Sequence, residues 1–109
     1  MDQGDGRFIA FSQKRLQHAY KHAPDFGIFT TMNKQSLLVF EKVIRRHVRS
    51  PATELLSGTY RNRPVVIFVN RFTRLAVIRD MKSEFLSGWR LSVMQLEHVL
   101  RIRKLGGGA

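Results

Sequence analysis

The sequence contains no cysteine and only eight acidic residues. Without cysteine, neither a disulfide framework nor a thiolate metal site can form. The acidic residues are scattered, and none are spaced to hold Mg²⁺ for two-metal hydrolysis of a phosphodiester. HExxH, Walker and GxGxxG motifs are also absent. We therefore expect no metal and no other cofactor, and any nuclease chemistry would have to proceed without a metal ion.

Long hydrophobic runs are missing as well. No stretch approaches the roughly 20 apolar residues that a membrane-spanning helix needs. Residues 1–12 lack the apolar run and the small-residue cleavage site of a signal peptide. We expect no membrane association, and the chain shows no export signal.

Basic residues dominate the charge. Nineteen Lys and Arg against eight Asp and Glu give a net charge of +11. A field of this sign attracts polyanions, so nucleic acid is the first candidate partner, an acidic protein the second and an anionic membrane surface a distant third. The length of 109 residues and the hydrophobic fraction of 43% indicate one folded domain.

Helical periodicity predicts two N-terminal helices. Apolar residues recur at helical spacing over residues 8–23 and 33–48. The first helix should end at Pro24, and the second should begin with Asn33 or Thr31 as its N-cap. The residues predicted to face the core are Leu16, Ala19, Tyr20 and Ala23 in the first helix and Leu37, Phe40, Ile44 and Val48 in the second.

The second half of the chain predicts a sheet and a last helix, which makes the fold α+β. Four short β-branched or aromatic runs at residues 59–61, 65–69, 75–78 and 85–89 predict a four-stranded antiparallel meander. The C-terminal helix should begin after Ser92, which has Gln95 at capping-box spacing. Its expected inward residues are Val93, Leu96, Val99 and Leu100. We predict a flexible N-terminal segment over residues 1–11, the domain over 12–104 and a flexible Gly-rich tail over 105–109.

Lys21 and His22 stand together on the polar side of the first helix. RNA carries a built-in nucleophile, the 2′-hydroxyl, beside each phosphodiester. Histidine suits proton transfer because its unperturbed pKa lies near 6.5, and lysine suits the charge of a phosphorane. The pair therefore indicates an RNA-cleaving site with His22 as the acid/base group, although such pairs are usually only solvated helix faces.

The other histidines give weaker signals. His18 lies four residues before His22 and could form a two-histidine metal face, but no carboxylate or thiolate completes it. His47 falls within the apolar stripe of the second helix, so we expect a buried, hydrogen-bonded histidine. His98 lies among polar positions and carries no functional signal.

Ser87-Gly88-Trp89 is a second candidate cluster. A serine hydroxyl can donate to a phosphate oxygen, and an indole can stack on an unpaired base. The alternative is that Trp89 only anchors the core. Strand alternation places Phe85, Ser87 and Trp89 on one face and Leu86, Gly88 and Arg90 on the other.

A third cluster combines an aromatic ring with hydroxyl and guanidinium groups: Thr59-Tyr60-Arg61 with Arg63. Such residues suit base and phosphate contacts. Surface strands often carry them without a function, so this signal is weak by itself.

Several blocks of the sequence, taken in order, resemble a known family. They are Lys21-His22-Ala23-Pro24-Asp25-Phe26-Gly27-Ile28, Phe40-Glu41 and His47 in one helix, Gly58-Thr59-Tyr60-Arg61, and Ser87-Gly88-Trp89-Arg90-Leu91-Ser92 followed by Gln95-Leu96-Glu97. They resemble the nuclease domain of the colicin D family, which also occurs among C-terminal toxins of contact-dependent inhibition and other polymorphic toxin systems. The resemblance covers about residues 12–103.

The resemblance implies a microbial-ribonuclease-like fold of the barnase type and a metal-independent endonuclease for the tRNA anticodon loop. Such an enzyme leaves a 2′,3′-cyclic phosphate and a 5′-hydroxyl. The family's active-site residues fall here on Lys21, His22, Ser87 and Trp89. We expect the surrounding RNA contacts from Lys14, His18, Thr59, Tyr60, Arg61, Arg63 and Arg90.

The resemblance also implies an acidic immunity protein as inhibitor. We expect a monomeric domain that is delivered from a producing cell into the cytoplasm of a target bacterium. The family pattern has a further lysine where this chain has Ala19, and Lys14 or Arg61 could compensate for it. A non-catalytic basic RNA-binding module is the alternative. A DNA-compacting protein is favoured least, because long basic tails are absent.

Overall fold

A computed structural model describes residues 6–106 of the chain. The parts of the predicted terminal segments that fall on residues 1–5 and 107–109 lie outside the described residues. Between them the structure is α+β, with three α-helices, a 3₁₀ helix and a five-stranded sheet among the described residues. No helix in this range is long and apolar enough to cross a membrane.

The first helix is shorter than predicted. Helix α1 spans Gln13–Ala19, and the chain then continues as a 3₁₀ helix over Tyr20–Phe26. Ser12 caps α1 by accepting a hydrogen bond from the backbone N–H of Arg15. The sequence predicts that the first helix ends at Pro24, but Pro24 lies inside the 3₁₀ helix. Proline cannot continue the α-helical hydrogen-bond ladder, so the chain tightens here and turns only at Gly27, whose φ is 86°.

The second helix follows its prediction closely. Helix α2 spans Lys34–Arg49, and Asn33 is its N-cap in a capping box with Ser36. Thr31, the alternative cap, instead accepts a hydrogen bond through its carbonyl from the Ser36 hydroxyl. The predicted apolar stripe is buried along its whole length: Leu37, Phe40, Ile44 and Val48.

The four predicted strands are present and form an antiparallel meander. They are β1 (Glu54–Tyr60), β2 (Arg63–Val69), β3 (Leu75–Arg79) and β4 (Phe85–Arg90). A fifth strand, β5 (Lys104–Leu105), pairs in parallel with β1, so the sheet order is β4-β3-β2-β1-β5. Two residues are too few for a periodic pattern, which is why the sequence did not predict β5.

Helix α3 spans Val93–Ile102 and begins with the predicted capping box of Ser92 and Gln95. The prediction that Val93 points inward is wrong, because this first residue of the helix is 65% exposed. Val99 is buried, while Leu96 and Leu100 are partly buried against the core.

Each face of the sheet carries its own core. One face is covered by α1, the 3₁₀ helix and α2, with Phe40 and Phe68 fully buried. The other face holds Trp89 together with residues of α3 and β5. The packed chain begins before residue 12, since Ile9 is buried and Ala10 bridges to Glu84.

Candidate active site

Three segments of the chain line a cleft of about 430 Å³. Its walls are α1 with the 3₁₀ helix, the turn between β1 and β2, and the start of β4. We call it the cationic cleft, because it is lined by four basic side chains and two histidines and by no carboxylate from residues 6–106. Such a lining suits a phosphate group. The cationic cleft is lined by Arg15, His18, Lys21, His22, Tyr60, Arg61, Arg63, Leu86 and Ser87.

The helical wall follows from helix periodicity. Arg15, His18 and His22 are separated by three and four residues, which places them on one face of the helical segment. Ala19 and Ala23 are fully buried on the opposite side. Arg15 was not among the residues predicted from the sequence. Its spacing from His18 and His22 was the available signal.

Curling of the sheet brings the β1–β2 turn, which is the second wall, close to β4, which forms the third. In a flat sheet β1 and β4 would be separated by three strand spacings, about 14 Å. Here the ring centroids of Tyr60 and Trp89 lie 5.9 Å apart, and those of Trp89 and His22 lie 6.0 Å apart. The Arg61 guanidinium lies 5.1 Å from the centroid of the Tyr60 ring. A continuous row of side chains therefore connects the β1–β2 turn to His22.

A β-bulge changes which residues of β4 share a face. Ser87 pairs with Ile78, but Phe85 pairs with the next residue, Arg79, so β4 contains one extra residue. Phe85 consequently packs in the core under α1, opposite Trp89. The predicted grouping of Phe85 with Ser87 and Trp89 is therefore wrong, while Ser87 and Trp89 do share a face.

The surroundings of His22 lower its pKa. Burial is the largest cause, because it disfavours the charged ring, and the charge of Lys21 acts in the same direction. Asp25 opposes this shift by raising the pKa, and His18 contributes a further lowering. The net lowering keeps the imidazole neutral near pH 7, which is the form that can accept a proton.

Two buried ring nitrogens of the site have no hydrogen-bond partner within residues 6–106. They are Nε2 of His22 and Nε1 of Trp89. Buried polar atoms are normally paired, and a catalytic role is one of the explanations for an unpaired one. Trp89 is only 5% exposed, so it anchors the core in addition to contacting His22.

The turn between β1 and β2 has an unusual backbone. Arg61 and Asn62 have φ values of 52° and 67°, so both central residues are left-handed, as a type I′ hairpin turn requires. Strand β5 holds this turn in place, because the backbone N–H groups of Thr59 and Arg61 donate to the carbonyls of Arg103 and Leu105 at 2.9 and 3.0 Å.

Three predicted RNA-contacting residues lie outside the cationic cleft. Lys14 is exposed on α1 and lines a neighbouring depression with Arg15 and His18. Thr59 is half-buried beside β5. Arg90 lies at the far end of β4, where its side chain donates to the carbonyls of Thr73 and Asp25.

Of the remaining histidines, His47 is half-buried, where the sequence predicted a buried residue, but it is hydrogen-bonded as expected. His47 donates from Nε2 to the Phe68 carbonyl at 2.9 Å, and burial lowers its pKa. His98 is exposed on α3. His18 finds no additional ligands, since residues 6–106 contain no group of three His, Asp or Glu side chains that could hold a metal ion.

Comparison with known proteins assigns the family. The family model described as Colicin D matches residues 15–99. The chain belongs to the colicin D family. It is 39% identical to Colicin-D of Escherichia coli over 84 residues, which cover 75% of this chain and 12% of that protein. It also resembles a solved structure of a ribonuclease from Escherichia coli in complex with its inhibitor protein. The TM-score is 0.74 at 34% identity, over 83% of this chain and 99% of that one.

The family resemblance predicts a further lysine at position 19, where this chain has Ala19. Ala19 is fully buried, so a lysine could not replace it without rearrangement. Of the two candidate replacements, Arg61 lines the cationic cleft and Lys14 does not. Arg15, one helical turn before Ala19, lines the cleft as well.

Proposed function

We propose that this domain is a toxin ribonuclease that cuts the anticodon loop of tRNA without a metal ion. The observation that carries the proposal is His22, whose pKa is lowered and which lies in a cleft that receives no carboxylate from residues 6–106. Membership of the colicin D family and likeness to a ribonuclease support it. The products would be a 2′,3′-cyclic phosphate and a 5′-hydroxyl.

In the proposed reaction, neutral His22 removes the proton from the 2′-hydroxyl. The 2′-oxygen bonds to phosphorus and the bond to the 5′-oxygen breaks. Lys21 stabilises the negative charge of the phosphorane, and Ser87 donates a hydrogen bond to a phosphate oxygen. Protonated His22 then returns the proton to the 5′-oxygen through a water molecule or a lysine. Trp89 positions the His22 ring, with which it is in contact.

The substrate contacts proposed around these residues come from both walls of the cleft. His18 on the helical wall and Tyr60, Arg61 and Arg63 on the turn all line it. Arg63 is also paired with Asp80 at 3.4 Å, which orients its guanidinium. Lys14, Thr59 and Arg90 would contact RNA only outside the cleft.

The proposed partners follow from the charge. The related ribonuclease was solved with its inhibitor protein, and an acidic immunity protein would complement the cationic cleft by mimicking phosphates. The chain spans only 12% of Colicin-D. We propose that the domain acts as a monomer and that a longer parent protein delivers it into the cytoplasm of a target bacterium.

Incubation with total tRNA in excess EDTA tests the proposal. The wild-type protein should cut tRNA, and His22→Ala should not. His98→Ala is a matched control that should cut normally, because His98 is exposed on α3 and does not line the cleft. Loss of cleavage in EDTA would contradict metal independence. Intact tRNA with undiminished binding would identify a non-catalytic RNA-binding module instead.

A further inference from the structure

A second basic surface runs along the C-terminal half of α2. Lys42, Arg46 and Arg49 are exposed there, and none forms an ion pair with another residue in the range 6–106. Two depressions that share Arg46 and Ser50 together form a groove on this surface, one beside the end of the helix and the other between the β2–β3 turn and the end of β4. We call it the α2 groove and define it by Lys42, Arg46, Arg49, Ser50, Asn70 and Arg90.

The α2 groove also contains hydrogen-bond donors whose positions are fixed by the backbone. Asn70 accepts through its side-chain oxygen from the N–H groups of Phe72 and Thr73 at 2.8 and 3.1 Å, which leaves its amide nitrogen to donate. The Ser50 oxygen accepts from the N–H of Ala52, so its hydroxyl hydrogen is also available. Guanidinium groups beside amide and hydroxyl donors are the set that phosphate oxygens accept.

Among residues 6–106, the only acidic residue that lines the α2 groove is Asp25, and its carboxylate already accepts from the backbone N–H of Arg90 at 2.9 Å. The groove is therefore strongly positive. Phe72, in the adjoining β2–β3 turn, is 82% exposed. An exposed aromatic ring beside a cationic groove offers a stacking platform for an unpaired base, which favours RNA over an acidic protein as the partner.

Two elements, the 3₁₀ helix and β4, contribute residues both to the cationic cleft and to the α2 groove. The 3₁₀ helix contributes His22 to the cleft and Asp25 to the groove. Strand β4 contributes Ser87 to the cleft and Arg90, three residues on, to the groove. At about 3.3 Å per strand residue, the two positions are about 10 Å apart. An RNA strand leaving the cleft would span this distance with a few nucleotides.

We propose that the α2 groove binds the phosphate backbone of an unpaired RNA segment that lies away from the cut bond, with a base stacked on Phe72. The inference rests on the proposed function. It gives the domain a way to select a folded tRNA over a short RNA, since only a longer substrate reaches both surfaces.

Arg46→Gln/Arg49→Gln tests the groove. Its matched control, Lys34→Gln/Arg101→Gln, removes the same charge from exposed residues that line neither surface. KM and kcat are measured on tRNA and on a short oligonucleotide that contains only the cut bond. The groove variant should raise KM for tRNA about tenfold. The slope of log affinity against log salt concentration should become shallower by about two, because two phosphate contacts are lost. The variant should leave kcat, and all kinetics on the oligonucleotide, unchanged.

Phe72→Ala should raise KM for tRNA by a similar factor without changing the net charge. An unchanged KM for tRNA, an equal effect on the oligonucleotide, or an equal effect of the control pair would overturn the proposal. Weakened inhibition by an acidic protein with normal tRNA kinetics would assign the groove to that protein and overturn the RNA assignment.

Equilibrium binding of intact tRNA separates this inference from the proposed function. Fluorescence anisotropy with the same variants requires no cleavage. A wild-type protein that binds tRNA through the groove but cuts nothing would refute the ribonuclease and leave the groove standing. If the wild-type protein cuts tRNA and the groove variants bind tRNA as tightly as the wild type, the groove assignment is refuted and the ribonuclease stands.

Discussion

Gly58→Ala is predicted to separate β5 from β1. A Cβ atom at this position would lie 2.3 Å from the carbonyl oxygen of Arg103. That oxygen belongs to the backbone, so β5 must move. The movement breaks the hydrogen bonds donated by Thr59 and Arg61, at about 1 kcal/mol each. It also exposes part of Leu105, which costs about 1.5 kcal/mol. Alanine returns about 0.5 kcal/mol by restricting the unfolded chain, which leaves a net loss of about 3 kcal/mol.

Urea unfolding followed by circular dichroism measures this loss. Gly106→Ala is the control, because within the part of the chain that the structure describes no residue beyond its neighbours lies within 4 Å of the position that its Cβ would occupy. We expect its unfolding free energy to stay within about 0.5 kcal/mol of the wild type. A loss below about 1 kcal/mol for Gly58→Ala would refute the close contact between β1 and β5. Affinity for RNA should fall as well, since β5 supports the turn that carries Arg61 and Arg63.

Three further predictions concern individual side chains. Arg61→Gly and Asn62→Gly both relieve a left-handed backbone, but only Arg61→Gly should weaken RNA binding, by about tenfold in anisotropy. Because the pKa of His22 is lowered, the acidic limb of kcat/KM against pH should be centred below about pH 6.5, and a midpoint above that value would contradict its role as base. The pKa of His47 is also lowered, so its stabilising contribution is present above about pH 6.5 and decreases as the pH falls through the folded-state pKa. Urea midpoints at neutral and acidic pH should therefore differ less in His47→Gln than in the wild type.

Much of the fold was predictable because the helices carry strong local signals. The apolar stripe of α2 and the capping boxes that begin α2 and α3 are encoded within a few residues of the helices themselves. The 3₁₀ helix was not predictable in this way, because Pro24 is a typical helix stop but here only prevents continuation of the α-helix. The bulge at Leu86 was missed because it depends on pairing with β3.

The candidate site was predictable only in part, because it is assembled from three separate segments. Lys21, His22 and Ser87 were selected and do line one cleft. Arg90 was selected with them, but the direction of its side chain at the end of β4 takes it to the α2 groove. Gly58 belongs to a block that resembles the family, yet its role depends on the Arg103 carbonyl, 45 residues away in the sequence.

Removal of a single 2′-hydroxyl tests the central claim most directly. The tRNA bond that the wild-type protein cuts is first mapped, and an RNA with that bond is then compared with one carrying a 2′-deoxy sugar on its 5′ side. The account predicts that the wild-type protein cuts the first RNA, that His22→Ala cuts neither, and that the deoxy-substituted bond stays intact. Cleavage of the deoxy-substituted bond would show that the 2′-hydroxyl is not the nucleophile, and would contradict the mechanism proposed for His22.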